Sequence, residues 1–268
     1  MADPWEELQT EAVAIVAAAA DQGVLLRVVG SAGIRLHCTA PGPLMDQLNR
    51  PAKDIDFIVP QQHRKGMRRL LESRGYQVDR DLLIAMEGTR YSFEHREHGT
   101  EIDVFVERLN FCHTVEVSGR LAGHPVTIGL EELLLQKVQI IDMTTTDLID
   151  TSVLLATHEA GEGGPEEIDT AYIARLLARD WGFHHTATRN LARVQQSVTG
   201  EVAAAGPGGT AGQPIDVGEE GIARVQRGTG RLLDAIAAEP KSLGWRMRDK
   251  VGERKQWWQD VDDREATY

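Results

Sequence analysis

The segment 53-KDIDFIV-59 constrains this chain more than any other. Successive side chains of a strand point to opposite faces of a sheet. As a strand, the segment puts Asp54 and Asp56 on one face and Ile55, Phe57 and Val59 on the other. A second segment, 101-EIDVFV-106, has Asp103 on one face and Ile102, Val104 and Val106 on the other. If the two strands are neighbours, three aspartates converge at one strand end while the apolar sets pack inward. Ionised carboxylates resist burial unless they are paired or bind a metal. A cluster of three is tolerable when Mg²⁺ or Mn²⁺ neutralises it. Two such cations hold the phosphates of a nucleotide and activate an attacking hydroxyl.

A second feature fits the same chemistry. The apolar run 24-VLLRVVG-30 reads as a buried strand ending in glycine, and Ser31 reads as the N-cap of a helix over 32–38. A Gly-Ser turn at a helix start presents backbone N–H groups and a hydroxyl to a phosphate. Gly30 allows the backbone to approach closely.

The rest of the chain predicts an α+β protein. A helix is expected over 4–21, then the strand–turn–helix unit, then the strand of Asp54 and Asp56. An amphipathic helix follows over 61–75, ended by Gly75, with β-structure and turns over 76–96 and the Asp103 strand over 99–107. A helix with Glu131 and Glu132 in its first turn is expected within 126–142, and another over 144–159. After the break 161-GEGGPEE-167 the pattern is helical, over 167–180, 182–204, 217–238 and 242–264. This places a mixed sheet flanked by helices in residues 1–160 and an all-helical region in 161–268. The tract 206-GPGGTAGQP-214 reads as a flexible linker.

Composition narrows the function classes. A net charge of −12 over 268 residues argues against coating nucleic acid by bulk electrostatics. Two cysteines at no metal-binding spacing argue against a disulfide scaffold or a zinc site. The acidic N-terminus lacks a basic signal region, and VAIVAAAA is too short to span a bilayer. The expectation is a cytoplasmic protein with no membrane association.

Taken together, 29-VGSAGIRLH-37, 53-KDIDFIV-59 and 101-EIDVF-105 resemble the nucleotidyltransferase superfamily of the DNA polymerase β type. The segment 136-QKVQIIDMTTTDLIDTSVLL-155 is similar to its AbiEii-like branch, known from type IV toxin–antitoxin systems. There, Lys137 matches the branch's lysine, and Asp147 and Asp150 match its later aspartates; Thr146 departs from the basic residue expected before Asp147. The resemblance spans roughly residues 24–158. It implies that Asp54, Asp56 and Asp103 hold Mg²⁺ or Mn²⁺ and the NTP, with Asp103 also a candidate base. It implies that Gly30 and Ser31 bind the β- and γ-phosphates, that Lys137 contacts phosphates, and that Asp150 orders the site. The reaction would move an NMP from an NTP to an acceptor hydroxyl and release pyrophosphate. The acceptor stays open between an RNA such as a tRNA 3′ end, a protein and a small molecule, as in antibiotic-modifying relatives. A cognate antitoxin is the implied partner. The alternative is a non-catalytic protein that senses nucleotide.

The residues themselves keep blander readings open. Lys137 lies on the apolar stripe of Leu130, Leu133, Leu134, Val138 and Ile141, so it either snorkels outward or points into a polar site. Asp147 reads as a helix N-terminal charge. His184 and His185 diverge on a helix, and His95 and His98 are expected to face solvent. The segment 246-RMRDKVGERKQWW-258 mixes basic residues with two tryptophans, a pattern open to RNA contact, and reads first as a surface helix docked through Trp257 or Trp258. The segment 227-RGTGR-231 lacks the features of a P-loop.

Overall fold

A computed structural model describes residues 4–38, 54–164, 166–200 and 215–260. The expected linker at 206–214 lies outside the described residues. The fold is α+β, with a mixed five-stranded sheet and several helices. Two compact units divide the chain: Met1–His37, Asn49–Leu109 and Thr114–Leu133 in one, and Cys38–Leu48, Asn110–His113 and Leu134–Tyr268 in the other. The chain passes from the first unit to the second between Leu133 and Leu134.

In the first unit, α1 (Pro4–Asp21) leads to β1 (Arg27–Val29), α2 (Gly30–His37) and β2 (Asp54–Val59). A 3-10 turn (Gln61–His63) enters α3 (Arg64–Ser73). Then come β3 (Tyr76–Val78), α4 (Arg80–Ala85), β4 (Arg90–His95) and β5 (Glu101–Val106). The sheet order is β1-β2-β5-β4-β3. β2 and β5 run parallel, and β1–β2, β5–β4 and β4–β3 are antiparallel.

The alternation read from the sequence sets the core. Ile55, Phe57 and Val59, Ile102, Val104 and Val106, and Tyr91 and Phe93 share one sheet face. Trp5, Leu8, Ala12, Ile15, Val16 and Ala19 of α1 recur at helical spacing and cover that face, with Met67, Leu70 and Leu71 of α3. Each Val, Leu, Ile, Phe or Met among them contributes roughly 1.5–3 kcal/mol of apolar burial.

Three local expectations change. Residues 80–85 are helical rather than β-structure, because Asp79 caps the segment by accepting from Asp81 N and Leu82 N, both at 2.9 Å. β6 (Arg108–Asn110) and β7 (Thr114–Glu116) form an unforeseen two-stranded pair. The helix expected within 126–142 is α5 (Leu130–Val138), with Glu131 and Glu132 in its first turn as read. The helix expected over 242–264 is α10 (Leu243–Asp249) followed by a 3-10 turn (Gly252–Arg254), where Gly252 has φ 57°.

The second unit holds α6 (Thr145–Thr157), α7 (Thr170–Leu177), α8 (Trp181–Thr199) and α9 (Gly218–Ala238), with α9 packed against the other three. It is not all-helical. β8 (Glu159–Gly161) and β9 (Glu167–Asp169) pair in parallel across the break that the sequence places there. The turn between them passes through Gly163 at φ 92°, a conformation glycine adopts freely.

Candidate functional site

Register brings the sequence-predicted carboxylates together. Asp56 and Asp103 are direct partners across the parallel β2–β5 pair, and Asp54 stands opposite Glu101. Neighbouring strands are about 4.8 Å apart, so Asp56 and Asp103 share one face as adjacent side chains. Val29 of β1 lies opposite Asp56, and Ser92 of β4 opposite Asp103, so one row crosses four strands. Asp54 and Asp56 are half-buried, and Asp103 is buried.

Gly30 closes on this row. It opens α2 directly from β1, with φ 67°. A Cβ added there would overlap the Asp56 carboxylate. Two independent constraints therefore require glycine: the left-handed backbone and the approach of Asp56. The helix begins at Gly30, so Ser31 stands in its first turn rather than at its N-cap. His37, at the other end of α2, bonds the Thr127 hydroxyl at 2.6 Å and is a packed helix residue.

One residue bonded to the row escaped the sequence reading. Arg90 of β4 is buried and donates from its Nη2 to Asp103 Oδ2 at 2.7 Å, with its guanidinium 5.2 Å from the Phe105 ring centroid. The alternation of 90-RYSFEH-95 puts Tyr91 and Phe93 in the core and Arg90 and Ser92 on the opposite face. That much is legible. The partnership with Asp103 follows only once β4 is paired with β5 in the observed register.

The remaining predicted residues lie in the second unit. Lys137 neither snorkels out nor points to solvent: it is buried, 2.8 Å from Asp150 Oδ2 and 3.3 Å from Asp147 Oδ1. Asp150 is fully buried. Asp147 is the helix N-terminal charge expected, completing a reciprocal capping box with Thr144. Lys137, Asp147 and Asp150 thus form an ion-paired group at the start of α6.

Other candidate nucleophiles and ligands are committed elsewhere. Cys38 and Cys112 are buried free thiols. Burial pushes the Cys38 thiol up to about 12, against the effect of its hydrogen bond to Thr157, so it is a poor nucleophile. His95 is half-buried rather than exposed, bonds Arg74 O at 3.1 Å and stacks on His98. His184 meets Trp245 edge-on, and His185 stacks on Trp181.

A divalent cation is tested by the donor set. Among the described residues, no group of three His, Cys, Asp or Glu side chains is arranged to hold a metal ion. The pair Asp56 and Asp103 supplies hard carboxylate oxygens of the kind Mg²⁺ takes, usually from one or two carboxylates plus substrate phosphates. The chemistry of that pair fits a cation that arrives with a nucleotide. It does not provide an all-protein cage. No helix among the described residues is long and apolar enough to cross a membrane.

No protein family matches the chain, and no curated protein matches it either.

Proposed function

We propose that the row of Asp54, Asp56 and Asp103, with Gly30 and Ser31 at the start of α2, is the site of a Mg²⁺- or Mn²⁺-dependent nucleotidyltransferase of the DNA polymerase β type, resembling the AbiEii-like branch. The observation that carries the reading is the direct pairing of Asp56 with Asp103 on parallel neighbours, closed by a glycine that only glycine can replace. An Asp-x-Asp strand, a third aspartate in register and a Gly-Ser helix start meet in one place. Each feature alone is common; their convergence favours one chemistry.

In this reading Asp56 and Asp103 would hold the divalent cation, with Asp54 beside them. When bound, the cation would neutralise phosphate charge. The start of α2 would orient the triphosphate through backbone N–H groups and the helix dipole. The acceptor hydroxyl attacks the α-phosphorus in line, its oxygen forming the new P–O bond. The bond to the bridging oxygen breaks, and pyrophosphate leaves. Asp103 would be the candidate base for the hydroxyl proton, through the carboxylate oxygen that Arg90 does not hold. Positioning and charge neutralisation supply most of the acceleration.

The test is transfer of label. The chain is incubated with each α-³²P NTP, Mg²⁺ or Mn²⁺, total RNA and cell lysate, beside Asp56→Asn. Label in RNA, protein or a small molecule, lost in the variant, supports the reading and names the acceptor class. Label that persists in Asp56→Asn overturns it.

The Arg90–Asp103 pair favours a second reading, a chain that binds nucleotide without transferring it. A guanidinium on Asp103 already supplies the positive charge that a second cation would bring. Nucleotide binding with no label transferred under any condition selects this reading.

A further inference from the structure

The residues that follow α9 form a surface that the nucleotidyltransferase reading does not use. Residues 241–255 carry six basic and two acidic side chains in a chain of net charge −12. Both acidic side chains turn toward α8. Asp249 accepts from Trp181 Nε1–H at 2.7 Å, and Glu253 bonds His185 Nε2 at 2.9 Å. Arg248 lies 4.6 Å over the Trp181 ring and fastens the next turn by donating to Gly252 O and Lys255 O. Trp245 meets His184 edge-on. The inner side of α10 is therefore firmly anchored.

The outer side carries the opposite chemistry. Leu243 is 77% exposed, Met247 71% and Val251 39%. They recur every four residues and form one stripe. Five large apolar side chains are exposed among the described residues, and three belong to this stripe. Arg246, Lys250, Arg254 and Lys255 are exposed alongside. A cleft of about 260 Å³ opens just before α10, with Arg175, Arg179, Glu239 and Lys241 among its lining residues. The Lys241 amine is engaged there, donating to Ile236 O and Glu239 O. The outer side of α10 is thus an apolar ridge flanked by exposed cations on an anchored helix.

We infer that this ridge docks an acidic amphipathic segment of another polypeptide. Its aliphatic side chains would lie on Leu243, Met247 and Val251, and its carboxylates on the flanking cations Arg246, Lys250, Arg254 and Lys255. Charge complementarity selects the acidic partner. The aliphatic stripe selects protein over nucleic acid, because a phosphate backbone gains nothing from three aliphatic side chains, while Trp181, Trp245 and Trp257 are engaged internally. A bilayer is disfavoured, since the net charge of −12 repels anionic lipid and the helix has seven residues.

The experiment is selection of a displayed library of random sixteen-residue peptides on the full chain. Enriched peptides are then measured by fluorescence anisotropy on the wild type, Met247→Glu and Lys250→Glu. Both positions are exposed, so the variants retain the wild-type far-UV spectrum and melting point. The expected result is enrichment of acidic peptides with aliphatic residues at helical spacing. Their affinity falls by about tenfold or more in each variant and weakens with salt. The inference is overturned by no enrichment, by enrichment without acidic residues, or by peptides that bind both variants as well as the wild type. It is equally overturned if oligouridylate or phosphatidylserine vesicles, and not peptides, bind in a Met247-dependent way. A concentration-dependent dimer in sedimentation equilibrium, abolished by Met247→Glu, would replace the partner with a second copy of this chain.

Discussion

Two groups of aspartates in this chain solve the burial of charge differently. In the sheet, Asp54, Asp56 and Asp103 line one face with Arg90 as the cation bonded to Asp103. At the start of α6, Asp147 and Asp150 share Lys137, and Asp147 also spends its charge on the capping box and the helix N-terminus. The helical group is centred on two buried side chains, Lys137 and Asp150, with Asp147 half-buried at its rim. In the sheet row Asp103 is buried, and Asp54 and Asp56 are half-buried on one strand face. A group centred on a buried ion pair is the candidate for a stabilising role. A row that keeps two carboxylates partly open to solvent is the candidate to receive a cation.

Four substitutions sharpen or break this contrast. Asp56→Asn should reduce nucleotidyl transfer by about 10³-fold or more while leaving the thermal midpoint unchanged or raised. A lowered midpoint would place Asp56 with the structural group. Asp150→Ala should cost about 3 kcal/mol in denaturant unfolding, because it strips the closer partner from buried Lys137. A loss below about 1 kcal/mol would break the claim that this group is structural. Gly30→Ala should cost about 2 kcal/mol, from the left-handed backbone and the overlap with Asp56 together. In an Asp56→Ala background the cost should drop by about half, which a double-mutant cycle reads directly.

The smallest effect concerns pH. Burial holds the His113 imidazole down to about 4, against the raising influence of Asp180. The ring is stacked on Phe183 and bonded to the Thr186 hydroxyl at 2.9 Å. Its folded value lies below the unfolded value of 6.5, so the unfolded chain takes up the proton first. The stability is fully present above pH 6.5 and is lost as pH falls toward 4. Melting followed over that window should show a decline of about 1–2 kcal/mol that His113→Gln reduces. An unchanged slope would assign the decline to other groups.

Much of this was written in local pattern. The strict alternation in 54-DIDFIV-59 and 101-EIDVFV-106 shows which residues share a face, and the fold keeps it. Gly30 was legible as a point of close approach, though not that Asp56 would be the approaching group. Arg90 was not legible as a partner of Asp103, since strand register depends on non-local pairing. The convergence of Asp56 and Asp103, read from the alternation only on the condition that the strands are neighbours, likewise needed the parallel pairing of two residues 47 positions apart. Asp79 recast 80–85 as a helix because a cap can override a short apolar run read as strand. Lys137 was ambiguous because an apolar stripe cannot say whether aspartates on a later helix will meet the lysine.

The central claim is that the sheet row, and not the helical group, receives a divalent cation. Titration of the chain with Mn²⁺, followed by the paramagnetic resonance signal of free Mn²⁺, tests it in three proteins: wild type, Asp56→Asn and Asp147→Asn. The account predicts that wild type and Asp147→Asn remove free Mn²⁺ alike and that Asp56→Asn does not. Removal of Mn²⁺ by Asp56→Asn to the wild-type extent, or its loss in Asp147→Asn alone, would contradict it.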